Sequence, residues 1–146
     1  WEDELATQLE TDGLPAFIDR WQQLPIFASQ LALPPAKQAE QRRQRLSHQA
    51  AGLAWALRTL GTGRMPCLWS RLSALRAPVR LINGALDDKF VRIGQRLQRC
   101  VPGLSHIILP NIGHNAVLEA PELIEHILRT PHGYIEHQAA QDPRNR

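Results

Sequence analysis

The chain has 146 residues, of which 43% are hydrophobic and 21% charged, and its formal net charge is +3. These values are ordinary for one compact globular domain and speak against a highly charged, disordered chain. A nucleic-acid partner is not expected: Glu40 lies within the basic stretch that contains Arg42, Arg43 and Arg45, and such a partner requires basic residues on one face with interleaved aromatic rings.

The first half of the chain predicts helices and no strand. Apolar residues recur at helical spacing over 2–11 and from Pro15 to Leu24. One long helix is predicted over roughly 36–60, with a polar first half and an apolar side along its second half. Proline and glycine mark the ends of these segments, as they do at helix boundaries. We therefore expect residues 1–70 to form an all-helical cap.

The pattern changes after residue 71. Two short buried-type strands are predicted at 79–83 and 104–109, with helices near 89–100 and from Pro121 onward. We predict Asp88 as the N-cap of the first of these helices. An order of strand, helix, strand, helix indicates the last two units of a parallel sheet, so the fold class is α/β, with this part of the core at 71–130.

The remaining residues, 131–146, are largely polar and lack periodicity after Pro131. We expect them to form a disordered tail.

An aspartate and a histidine follow the two predicted strands. Asp87 lies in Gly-x-x-Asp after the first strand, and His114 lies in Gly-His-Asn after the second. In the α/β-hydrolase fold the catalytic triad runs Ser, Asp or Glu, His, and its acid and base lie beyond the carboxyl ends of successive parallel strands. We predict His114 as the base and Asp87 as the acid that orients it. A single aspartate after a strand is more often a cap or turn residue, and Asp88 competes for the acid role.

No serine lies in the Gly-x-Ser-x-Gly turn that holds the nucleophile of this fold. The serines are Ser29, Ser47, Ser70, Ser73 and Ser105. We therefore predict the C-terminal part of an α/β-hydrolase fold and expect the N-terminal remainder of that fold as its partner. The chain alone is expected to be inactive.

Other chemistry is not indicated. Cys67 and Cys100 lack CxxC spacing, which favours buried thiols in a reducing, cytoplasmic compartment. The six histidines show no metal-ligand spacing, so we expect no metal and no cofactor, and we give His106 and His126 structural or surface roles. No apolar stretch is long enough to cross a bilayer, so no membrane partner is expected.

Three stretches resemble one enzyme family, the 2-succinyl-6-hydroxy-2,4-cyclohexadiene-1-carboxylate synthases of menaquinone and phylloquinone biosynthesis. The stretches are 17–27 with Trp-Gln-Gln-x-Pro-x-Phe, 45–69 with Gly-Thr-Gly, and 84–115 with the Gly-x-x-Asp and Gly-His-Asn motifs. The first two are far more particular to this family than the third.

The resemblance implies a lyase that removes pyruvate from 2-succinyl-5-enolpyruvyl-6-hydroxy-3-cyclohexene-1-carboxylate. It implies Asp87 and His114 as triad members, Arg45 as a cap residue that binds a carboxylate of this polycarboxylate substrate, and Trp21 as a cap residue that lines the pocket. From the residues alone, the preferred interpretation of Arg45 is a solvated arginine on a polar helix half, whereas for Trp21 helix packing and pocket lining are about equally supported. Two alternatives stay open: a generic α/β-hydrolase, either an esterase or a carbon–carbon bond hydrolase, and a small helical binding module without catalysis.

Overall fold

The computed structural model describes residues 1–130, which form two compact units, Trp1–Arg71 and a second that begins at Leu72. The tail predicted at 131–146 lies outside the described residues.

The first unit is helical. Helix α1 (Glu2–Trp21) packs along α3 (Ala50–Leu60), and α2 (Pro35–Leu46) contacts α1 more sparsely. Its buried core consists of Ala6, Leu9, Phe17, Ile18 and Ala54. The predicted break after Asp12 is present, because Gly13 has φ 80° and ψ 163° within α1, a left-handed conformation that glycine adopts without a steric penalty.

The long helix predicted over 36–60 is wrong, because α2 ends at Leu46 and α3 begins at Ala50. Ser47 Oγ donates to the Gln44 carbonyl at 2.7 Å, and Gln49 is extended. Such local side-chain bonds compete with helix continuation. The two halves also differ in burial, since α2 buries no residue whereas α3 buries Ala54. A 3₁₀ segment at Pro25–Ala32, where no element was predicted, joins α1 to α2.

The second unit confirms the predicted order of strand, helix, strand, helix. Strand β1 (Arg80–Gly84) pairs in parallel with β2 (Ser105–Leu109), and α4 (Asp88–Cys100) connects them. A short helix α5 (Ala116–Glu119), which was not predicted, precedes α6 (Pro121–Arg129). Ile107, Leu109 and Ile127 form the buried core between sheet and helix.

The two cysteines differ in exposure. The expectation of buried thiols is wrong for Cys67, which is exposed, while Cys100 is half-buried and both are free. Cys67 lies between the 3₁₀ turns Thr62–Arg64 and Trp69–Ala74, neither of which buries a residue. Its apolar neighbours in sequence therefore do not form a packed environment around it.

Within residues 1–130, no helix is both long and apolar enough to cross a membrane.

Candidate active site

The carboxyl ends of β1 and β2 lie side by side, because Gly84 is paired with Leu109 in the parallel register. The loops that follow are bonded to each other. The Ala85 N–H donates to the Leu109 carbonyl at 2.8 Å, and the Leu86 N–H donates to the Ile112 carbonyl at 2.9 Å. The sheet thus brings the loop of Asp87 against the loop of His114.

Gly84 is required for this close approach. A Cβ atom at that position would lie 2.2 Å from the carbonyl oxygens of Ile112 and Gly113, which are backbone atoms that cannot rotate away. The glycine of the Gly-x-x-Asp motif therefore has a packing reason in addition to its place in a motif.

We predict that Gly84→Ala destabilises the protein by about 1–3 kcal/mol or more, the usual cost of overpacking a site that cannot relax. Gly52→Ala is the matched control, because a Cβ at Gly52 meets nothing within 4 Å. Gly52 lies within α3, where alanine is favoured over glycine by roughly 0.5–1 kcal/mol. Denaturant unfolding of both variants measures the difference. Equal stability of the two variants would contradict the close-approach argument.

The structure brings Asp87 and His114 together. His114 Nδ1 lies 2.5 Å from Asp87 Oδ2. The aspartate is buried, with 8% of its surface exposed, and the histidine side chain is 32% exposed. An ionised carboxylate only accepts hydrogen bonds, so Nδ1 carries the proton and Nε2 of the neutral ring is the nitrogen that can take one up. This is the arrangement of an oriented general base.

The N-cap assignment to Asp88 is wrong. Helix α4 begins one residue earlier than predicted, and its cap is Asp87, whose Oδ1 accepts from the Phe90 N–H at 3.3 Å. Asp88 is exposed in the first turn and pairs with Arg92 at 2.9 Å. A carboxylate has enough lone pairs for both tasks, so one oxygen of Asp87 caps the helix while the other holds His114.

Two contacts of His114 and its loop were missed by the sequence reading. The Phe90 ring lies 5.0 Å from the imidazole, centroid to centroid, at a tilt of 55°. Glu119 accepts from the Gly113 N–H at 2.6 Å and from the Asn115 N–H at 3.2 Å. One sequence signal for this contact is that Glu119 follows Asn115 by one helical turn. An acidic side chain at that spacing can accept from the N–H of the cap residue, much as in a capping box.

The other predicted histidines have the roles expected for them. His106, on β2, bonds Asn83 Oδ1 through Nε2 at 2.9 Å, and burial lowers its pKa. His126 is exposed on α6. No group of three or more potential metal ligands occurs within residues 1–130.

Arg45 and Trp21 belong to the first unit, where both lie beside Phe27. The Arg45 guanidinium is 5.6 Å from the centre of the Phe27 ring, and the Trp21 ring is 5.7 Å from it. Arg45 donates to Gln30 Oε1 at 3.3 Å, and burial lowers the pKa of Arg45. In the described part of the chain no carboxylate forms an ion pair with this half-buried cation.

A cavity of about 220 Å³ lies beside Arg45. Most of its lining residues are glutamines or arginines, and they include Gln30, which is buried and whose Nε2 has no hydrogen-bond partner among residues 1–130. Trp21 does not line this cavity but packs between Phe17 and Phe27. Within residues 1–130 the Arg45 guanidinium therefore has no carboxylate that balances its charge, and an anion in the cavity can bind to it.

Comparison with known proteins finds relatives that share one name. No protein-family model matches the sequence. The chain is 38% identical over 125 residues to the putative 2-succinyl-6-hydroxy-2,4-cyclohexadiene-1-carboxylate synthase of Bacillus subtilis, a match that covers 86% of this chain and 46% of that protein. It is 31% identical over 124 residues to the synthase of that name from Serratia proteamaculans, which covers 85% of this chain and 46% of that protein.

A solved structure also matches the chain. MenH from S. aureus superposes with a TM-score of 0.86 at 34% identity, over 88% of this chain and 48% of that one. The chain is thus similar to these synthases in sequence and to MenH in structure. It spans about half the length of these relatives, and its fold is a C-terminal part of the α/β-hydrolase fold, as predicted. A chloroplast protein of Arabidopsis thaliana, PHYLLO, matches at 28% identity over 82% of this chain but only 7% of its own length.

Proposed function

We propose that this chain contributes the acid–base half of the active site of a lyase that eliminates pyruvate from 2-succinyl-5-enolpyruvyl-6-hydroxy-3-cyclohexene-1-carboxylate. The observation that carries the proposal is the Asp87–His114 pair at the ends of adjacent parallel strands, in a chain whose homologues are named for the product of this reaction. The setting is the cytoplasmic synthesis of menaquinone or phylloquinone.

The chemistry is an elimination and consumes no water. His114 Nε2 takes a proton from a ring carbon of the substrate, and the electrons of that C–H bond become part of a new ring double bond. The C–O bond to the enolpyruvyl group breaks, and this group leaves with the electron pair and becomes pyruvate on protonation. Asp87 stabilises the imidazolium that forms, because it is buried and bonded to Nδ1.

Residues 1–70 are proposed to be the helical cap segment of the fold and residues 71–130 part of its core. Arg45 is proposed to bind a substrate carboxylate, with Trp21 lining the pocket. The support for Arg45 is that it lies beside a cavity lined mostly by glutamines and arginines and has no ion-pair partner among residues 1–130. Arginine pairs with carboxylates in a bidentate geometry, so a substrate with several carboxylates suits such a site. The proposed role of Trp21 in lining the substrate pocket is supported by the family resemblance alone.

The experiment is a pyruvate-release assay on a chimera in which this chain replaces the matching segment of the Bacillus subtilis relative. Turnover by the chimera, together with none by the 146-residue chain alone, is the expected result. Hydrolysis of simple esters without pyruvate release would instead favour a generic α/β-hydrolase. A correctly folded chimera that does neither would leave the proposed function without support.

Arg45→Ala is predicted to lower kcat/KM by about 1.5–3 kcal/mol, the worth of a charge-assisted hydrogen bond. The measurement uses the chimera described above, called the intact enzyme below. Loss of the Phe27 contact is expected to cost only about 0.5–1 kcal/mol of stability. Arg43→Ala is the control, since Arg43 lies in the same helix, is exposed and pairs with Glu40. Equal kcat/KM losses in both variants would contradict a specific role for Arg45.

A further inference from the structure

The loop that carries His114 is bound at both of its ends by one side chain. The Gly113 N–H donates to Glu119 Oε2 at 2.6 Å, and the Asn115 N–H donates to Oε1 of the same carboxylate at 3.2 Å. His114 is the single residue between these two donors. Glu119 is half-buried at the end of α5, so its two oxygens reach back over one helical turn.

Helix α5 places this carboxylate. Asn115 caps the helix by accepting from the Leu118 N–H at 3.1 Å, and the helix ends at Glu119 after four residues. A bond between a carboxylate and an N–H is shorter and roughly twice as strong as a neutral one. Two such bonds on either side of one residue restrict the backbone from which the imidazole extends.

We propose that Glu119 is a positioning residue for the base. It fixes the backbone of Gly113 and Asn115, and thereby holds the His114 ring where Nδ1 meets Asp87 Oδ2. The reaction assigned to that base rests on the proposed function, but the contact with the loop does not. Asp87 orients the ring from the β1 side, and Glu119 orients its backbone from α5.

The decisive variant is Glu119→Gln in the intact enzyme. Glutamine has the same shape but only one acceptor oxygen, so its NH₂ group faces one of the two N–H donors and cannot serve both. We expect kcat to fall about tenfold to a hundredfold, the scale of a small misplacement of a catalytic group, with KM changed by less than about threefold. Glu119→Asp keeps two acceptors on a shorter stem and is expected to recover part of the loss. Glu122→Gln, the same change at an exposed position on α6, is the control and is expected to leave kcat unchanged.

A second readout follows the imidazole itself. The Nδ1 proton of His114, observed by proton NMR, is expected to shift upfield in Glu119→Gln as its bond to Asp87 loosens, and the Gly113 and Asn115 amides are expected to lose protection from hydrogen exchange. Both signals keep their wild-type values in Glu122→Gln.

Turnover is normalised to folded enzyme by near-ultraviolet circular dichroism. Wild-type kcat per folded enzyme in Glu119→Gln, or an unchanged Nδ1 resonance, overturns the proposal, and an Asp variant no better than Gln does the same. If the wild-type enzyme releases no pyruvate while the NMR signals shift as expected, the proposed function fails and the positioning role stands.

Discussion

Replacement of His114 by alanine is expected to lower kcat of the intact enzyme by about a thousandfold or more, because it removes the group that takes up the proton. Substrate binding should change little. The imidazole is bound to Asp87 and packed against Phe90, so we expect it to contribute proton transfer and little of the binding energy. Steady-state pyruvate release gives kcat, and titration calorimetry with the substrate and the inactive variant gives the dissociation constant.

His126→Ala is the matched control for this experiment. His126 is exposed on α6, in the same unit, and its replacement should leave kcat within about twofold of the wild type, as is usual for surface positions. A His114→Ala enzyme that retained more than a tenth of wild-type kcat would exclude His114 as the base. A large loss of affinity with unchanged kcat would instead assign it to binding.

The second unit was predictable from the sequence because its signals are local and agree with one another. Two apolar β-branched runs, each beginning beside a glycine or proline, were found within one residue of β1 and β2. A chain that forms parallel strands must place their carboxyl ends at one edge, so the approach of Asp87 and His114 followed from topology alone. Their contact needed no long-range information beyond strand order.

The wrong predictions concern segments whose local sequence pattern is compatible with two different structures. Asp87 and Asp88 are adjacent carboxylates before the same helix, and propensity favours either as the cap. The choice depends on the first hydrogen bond of α4, which Asp87 accepts while it also holds His114. In the long 36–60 segment, helix-forming residues lie on both sides of Ser47. The two halves differ in their packing on α1, since α3 lies along it and buries Ala54 whereas α2 contacts it sparsely and buries no residue.

The contacts of Glu119 were not predicted, for a different reason. Its partners are backbone N–H groups, so its spacing from Asn115 is the one sequence signal for these contacts, and α5 is too short to show a helical periodicity. Gly84 was noticed as part of a motif, yet the reason for it, two carbonyl oxygens of the neighbouring loop, is a contact between segments distant in sequence.

Asp87→Asn is expected to lower kcat about a thousandfold to ten-thousandfold, the scale seen when the acid of a triad loses its charge. The structure makes this a clean substitution. Asparagine caps a helix about as well as aspartate, so its oxygen can still accept from the Phe90 N–H and α4 should stay intact. Its NH₂ group then faces His114, donates to Nδ1 and moves the ring proton to Nε2, where the base needs a lone pair.

Asp88→Asn is the matched control one residue away. It loses only the exposed ion pair with Arg92, worth roughly 0.2–0.5 kcal/mol of stability, and kcat should not change. Both variants are measured by pyruvate release and by denaturant unfolding, and they should differ in kcat but hardly in stability. The opposite result, turnover abolished by Asp88→Asn and preserved in Asp87→Asn, would show that the acid is Asp88 and that the bond between Asp87 and His114 serves only the fold.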